Sequence, residues 1–396
     1  MAIVSCCLIA RGSGVPRVAA MAFDFPGPAP SAALLGRRRL LQLGLGSAGG
    51  LLLPAFLGGC GRSDAPFLLT TEGGMPPLWL KRLPAPWQQR TVAGPGELLA
   101  SLAAGGGAGG VGNGGVGNGA GGAGSGGAAA NGQSRPRPAL IALPDGWASS
   151  LSVAQLQPLA QPQLLEQLSA AAQPLSRLYR SEGSEALAFP WAFSPWVMAL
   201  RSQPALAKRA AEGWELLLDP GLRQQLVLPS SPRVCMALVG GDFERLRALR
   251  ANALAYDDAN ALNLLLNGAA AVAVVPLQRL IPLLRRDQRL QVLLPASGAP
   301  LSWQLLLRLA GGAPPPLDWL EAALEPPLLP RLLAAGWLPP LPRPRLTAAL
   351  ADFPPALAQL LLPEESLLSR CWSLPPLDLR QRLALQTLWD AAAPSL

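Results

Sequence analysis

The chain contains no histidine in 396 residues. That removes the usual general base, the base of Ser-His triads and the commonest metal ligand together. Cysteine is scarce: after Cys6 and Cys7 only Cys60, Cys235 and Cys371 remain, none in a C-x-x-C pair, so neither a zinc site nor a dithiol site is expected. The only tyrosines, Tyr179 and Tyr256, are a thin ligand set for capturing ferric iron. There is no G-x-S-x-G nucleophile elbow, and the GSG fragment at Gly124–Gly126 lies in low-complexity sequence. Charged residues make up 14% of the chain and form no Lys/Arg-dense run beyond Cys60, which speaks against nucleic acid as a partner. No uninterrupted run of 18 or more apolar residues follows Cys60. The expectation is a non-enzyme with no catalytic residue, no metal and no cofactor.

What is present begins with "RRRLLQLGLGSAGGLLLPAFLGGC", Arg37 to Cys60. A basic start leads into an apolar run diluted by Gly44, Gly46, Gly49 and Gly50 and broken at Pro54. A membrane span needs about 20 predominantly apolar residues, whereas an export signal needs a basic start, an apolar middle of roughly 7–15 residues and a small-residue cleavage site. Arg37 and Arg38 before Leu40 and Leu41 resemble the twin-arginine export signal. Leu57-Gly58-Gly59-Cys60 resembles a lipobox. Residues 1–59 are therefore expected to be a signal, begun at Met1 or Met21, with Cys60 acylated and 60–66 a tether. The signal carries five arginines and one aspartate, so its removal lowers the formal charge from +8 to +4. Cys235 and Cys371 are left to pair or to sit as buried thiols, and export of an already folded chain favours thiols.

Downstream, "FLLTT" from Phe67, "QQRTVA" and "PALIALPDGW" read as strands, with short helices at "PPLWLKRLP" and "GELLASLA" between them. About 105–132 is nearly all Gly, Ala and Asn, too poor in apolar surface to order itself, and is expected to be a flexible insertion. Gln155–Leu178 has helical spacing. "EALAFPWAFSPWVMALRS" is extended but interrupted by Pro190 and Pro195. "VLPSSPRVCMALV" reads as strand, polar turn and helix start; "AAAVAVVP" and "LQVLLPASGAP" read as buried strands, and helical runs with proline-rich connections follow Ser302. Strands alternating with helices imply an α/β fold with largely parallel sheets.

The order of several segments resembles the periplasmic solute-binding proteins of ABC transporters, in particular the spermidine/putrescine-binding type. These are "LPDGW", "ALAFPWAFSPWVMALRS", "GWELLLDPGLRQQLVLPSSPR", "LNGAAAVAVVP" and "VLLPASGAPLSWQLLL". The resemblance implies two α/β lobes, each a mostly parallel sheet flanked by helices, joined by crossing strands. Lobe 1 would be 67–190 with 303–396, and lobe 2 would be 191–302. It further implies a monomeric, lipid-anchored periplasmic receptor that holds a small solute in a cleft and presents it to an ABC permease.

In such folds ligands sit at the carboxyl ends of strands. The candidate ligand-binding residues are Glu72, Asp145, Trp147, Trp191, Ser231, Ser297 and Trp303, with Gly298 offering backbone groups. Each tryptophan either stacks on a ligand or fills core; Trp214, Trp319 and Trp389 sit in helical patterns and read as core. The resemblance also places three carboxylates of polyamine receptors at Ser231, Val234 and Leu305, and all three are missing. Buried ammonium groups need such partners, so a simple polyamine is not the expected ligand. The competing reading is a binding-protein fold that has lost its solute and serves envelope assembly or regulation.

Overall fold

A computed structural model of the chain describes residues 65–105, 136–159 and 162–394. The signal with Arg37 and Arg38, the lipobox at Cys60, most of the tether and the Gly-rich segment beyond Gly105 lie outside the described residues. Ten strands run in chain order: β1 (Phe67–Thr71), β2 (Gln88–Val92), β3 (Leu140–Pro144), β4 (Leu156–Gln157), β5 (Ala188–Arg201), β6 (Leu226–Leu228), β7 (Ala253–Tyr256), β8 (Val272–Pro276), β9 (Leu290–Leu293) and β10 (Leu301–Leu309). They belong to two compact units: residues 65–193 with 303–352, and residues 194–302 with 353–394. Both β5 and β10 begin in one unit and end in the other. Among the described residues no helix is long and apolar enough to cross a membrane.

In the first unit the strand order is β2-β1-β3-β10-β4. β1 pairs in parallel with β2 and β3, whereas β10 runs antiparallel to β3 and β4. β1 and β3 are buried and apolar for most of their length, as strands covered on both faces must be. The polar β2 takes the exposed edge. A tryptophan cluster fills the core. Trp79 and Trp319 stack with ring centroids 4.6 Å apart. Each indole N–H donates to the other residue's backbone carbonyl, at 2.8 and 3.0 Å. Trp191 meets Trp79 edge-on at 5.2 Å and Trp337 at 4.9 Å.

In the second unit the order is β9-β5-β8-β6-β7. β6 pairs in parallel with β7 and β8, and β5 runs antiparallel to β8 and β9. Trp214 and Cys235 lie in its core. Cys235 and Cys371 are free thiols, and burial pushes the Cys235 thiol well above its ordinary range.

Two expectations are corrected here. The helical spacing of Gln155–Leu178 does not produce a continuous helix. Pro158, Pro162 and Pro174 break it into β4 and the short helices Pro162–Glu166 and Gln173–Ser176, because proline lacks the N–H that an interior turn needs. Conversely, Pro190 and Pro195 do not interrupt β5, which runs unbroken for 14 residues. Proline tolerates an extended backbone, and the nearby donors are used: Phe193 N–H reaches the Leu338 carbonyl and Trp196 N–H that of Pro300, both at 2.9 Å.

Residues 353–394, which the sequence expectation assigned to one lobe with 303–352, group by contacts with residues 194–302 in the second unit. The helix Leu379–Ala391, capped by Asp378 and Gln381, turns Leu385, Leu388 and Trp389 toward that core. Arg250 lies 4.2 Å over the Trp389 ring and also donates to its carbonyl, and Tyr256 meets the same ring edge-on at 5.4 Å.

Candidate ligand-binding site

Each sheet has a place where neighbouring parallel strands send their chain in opposite directions. From β1 the chain leaves toward β2, and from β3 toward β4 on the other side. From β6 it leaves toward β7, and from β8 toward β9. In open α/β sheets ligands bind outside the carboxyl ends of strands at such switch points. The loops at those ends are the ones after β1 and β3 in one unit, and the ones after β6 and β8 in the other.

The β1/β3 edge holds three of the expected residues. Glu72 follows β1 in a tight turn: its N–H donates to Val92 at 2.9 Å, Gly73 takes a φ of +66°, and its side chain is exposed. Asp145 follows β3 and opens the turn helix Asp145–Ala148, where its carboxylate accepts the backbone N–H of Trp303 at 3.3 Å. Trp147, in the same turn, is 45% exposed, and a methyl placed on Gly96 would stand 4.0 Å from its ring. The other two tryptophans present no ring face to solvent. Trp191, 1% exposed, belongs to the indole cluster; Trp303, 1% exposed, packs against Phe193 at 5.0 Å.

At the β6/β8 edge Ser231 is the N-cap residue of the helix Pro232–Leu238, with no side-chain cap bond. Val234, in that helix, is buried, as is Leu305 opposite Leu143 in the first unit. Both positions therefore carry core side chains. Ser297 is exposed, but Gly298 has its backbone groups engaged: its N–H donates to Pro295 and its carbonyl accepts the Trp214 indole, both at 3.0 Å.

The same edge carries polar residues that the sequence reading passed over. Ser194 on β5 accepts the Gln278 N–H at 2.9 Å. Ser230 donates through its backbone and hydroxyl to Asp258, and Arg279 reaches the carbonyls of Asp258 and Ala259. Their signal in sequence was faint: "VVPLQRL" places a polar pair just past a buried strand, and "YDDAN" an acidic pair past another.

Among the described residues no group of three or more His, Cys, Asp and Glu could hold a metal ion. Tyr179 lies in the first unit and Tyr256 in the second, where burial raises the Tyr256 phenol above its ordinary range and so disfavours the phenolate that iron would need.

No protein-family model matches the chain, and no curated protein matches it in sequence. Solved structures do match. The spermidine/putrescine ABC transporter substrate-binding protein of Streptococcus pneumoniae superposes with a TM-score of 0.62 at 11% identity, over 83% of this chain and 98% of that one. The fold is that of periplasmic substrate-binding proteins. A PotD-type lipoprotein of Treponema pallidum gives 0.56 at 12% identity over 83% and 99% of the two chains. The ferric binding protein of Campylobacter jejuni gives 0.53 at 11% over 83% and 99%. The substrate-binding proteins sharing this fold take chemically different solutes, so the fold by itself selects no ligand for this chain.

Proposed function

We propose that this chain is the solute receptor of an ABC importer, exported by the signal around Arg37 and Arg38 and held at the periplasmic membrane face by lipid on Cys60. The observation that carries the receptor reading is the coincidence of exposed or half-buried polar and aromatic groups with the β1/β3 and β6/β8 edges of a substrate-binding-protein fold. In the first unit Glu72, Asp145 and Trp147 are the proposed solute contacts, and in the second unit, taken by itself, the proposed contacts are Ser231 and Ser297. Trp191 and Trp303 support the β1/β3 edge from within the core.

The test is thermal shift against a panel of carboxylic acids, α-amino acids, sugars, inorganic phosphate and polyamines. A solute at a hundred times its dissociation constant adds about 2.7 kcal/mol of stability. Trp147→Ala is expected to weaken the bound solute by about twofold to thirtyfold, the value of one stacking contact, while leaving the melting temperature of the free protein nearly unchanged. Spermidine is expected to bind no tighter than about millimolar, since Ser231, Val234 and Leu305 stand where the resemblance places carboxylates, and a buried ammonium left without its partner costs several kcal/mol. A panel with no stabilising solute would refute the receptor reading and favour the solute-free alternative.

The anchor has its own test. Cys60→Ala should abolish incorporation of labelled fatty acid and move the protein from the detergent phase to the aqueous phase. Normal lipid labelling of that variant would remove Cys60 from the proposal.

A further inference from the structure

The loops after β6, β7 and β8 are tied together at one edge of the second sheet, and a single cation helps to tie them. Arg279, three residues past β8, is partly buried. It reaches across to the loop after β7, donating one Nη to the Asp258 carbonyl and the other to Ala259 at 3.2 Å. A guanidinium has five N–H donors. Among the described residues, these two bonds are the only ones that Arg279 makes, and both acceptors are neutral carbonyls. It forms no ion pair among the described residues.

The two acids nearest to it are held by other groups. The Asp258 carboxylate takes the backbone N–H and hydroxyl of Ser230, and the Asp257 carboxylate takes the backbone and side-chain N–H groups of Asn260 at 2.8 and 2.9 Å. Burial pulls the guanidinium below its ordinary range, opposed by the more distant attraction of Asp258 and Asp257. A partly desolvated cation with unengaged donors is thus fixed beside the β6/β8 switch point, next to Gln278 and Ser194.

We propose that Arg279 anchors a carboxylate group on the solute, an assignment that rests on the receptor reading above. The planar guanidinium fork matches a carboxylate. Asp257 and Asp258 argue against a phosphate dianion, whose second charge they would repel. A solute bearing ammonium groups alone would meet the Arg279 cation, while the two acids beside it are already held by Ser230 and Asn260.

The experiment is titration calorimetry on the purified chain at fixed ionic strength, using the full panel of carboxylic acids, α-amino acids, sugars, inorganic phosphate and polyamines together with the primary amide of whichever acid binds. The wild type is expected to bind the acid and to lose affinity for its amide. Arg279→Gln should weaken the acid by about tenfold to hundredfold, the value of hydrogen bonds to a charged partner, and should leave the amide unchanged. Arg279→Lys should restore part of the loss, and it serves as the test if the glutamine variant fails to fold. Equal weakening of acid and amide would reduce Arg279 to a strut between loops and overturn the assignment. Binding confined to inorganic phosphate or to polyamines would also overturn it, while leaving the receptor reading intact. Binding of nothing in the panel would overturn both.

Discussion

Trp79→Ala is expected to lower the stability of the first unit by about 3–5 kcal/mol, the usual range for truncating a buried tryptophan. The upper part of that range applies here because the ring is fully buried and has two aromatic partners, stacked Trp319 and edge-on Trp191. Removing it leaves a cavity between those rings and takes the indole donor from the Trp319 carbonyl. Trp79→Phe keeps an aromatic ring but not the N–H, so it should cost roughly half as much. Trp147→Ala, at an exposed ring, should stay within about 0.5 kcal/mol. Calorimetric unfolding of the three variants checks the order. Similar losses at Trp79 and Trp147 would mean that the division of the tryptophans between core and ligand edge is wrong.

That division marks the limit of what the sequence alone conveys. The alternation of strands and helices was legible because buried strands such as "LIALP" and "VAVVP" are apolar runs closed by proline. The strand-end positions of Glu72, Asp145 and Trp147 followed from the same runs. Nothing local distinguished Trp147 from Trp191 or Trp303, since burial of an indole depends on elements far away in the chain: Trp337 covers Trp191, and Phe193 covers Trp303. Proline misled in both directions. Its spacing hid the breaks after Gln155, while within β5 it suggested breaks that the neighbouring donors of Phe193 and Trp196 make unnecessary. The positions of the missing carboxylates rest on the order of segments, and two of them, Val234 and Leu305, are core positions. Arg279 was invisible for a different reason. Its meaning comes from strand order, because only the sequence β8-β6-β7 places the exit of β8 beside the exits of β6 and β7.

Gly298→Ala should be nearly as damaging in the second unit as Trp79→Ala is in the first, although it adds one methyl group. Gly298 has a φ of +88°, a left-handed conformation that costs a residue with a Cβ about 1–2 kcal/mol. The added carbon would stand 2.0 Å from the backbone carbonyl oxygen of Arg370, which no side-chain rotation can relieve. That carbonyl cannot easily withdraw. Trp372 N–H donates to Ala299 at 3.1 Å, Leu301 N–H returns to Trp372 at 2.8 Å, and the Arg370 Nε holds the Ala296 carbonyl at 2.6 Å. Forcing the two segments apart also strains the bond from the Trp214 indole to the Gly298 carbonyl. Overpacking of this kind costs about 1–3 kcal/mol and a lost hydrogen bond about 1. The expected total of about 3–5 kcal/mol corresponds to a fall in melting temperature of roughly 5–15 °C. Gly183 supplies the control: its φ is also +88°, but a Cβ there meets nothing within 4 Å, so Gly183→Ala should show the conformational cost alone. Calorimetry of the two variants separates the terms. Equal losses would show that the 295–301 loop can part from residues 370–372, and that the exposed Ser297 is carried on a segment with room to move.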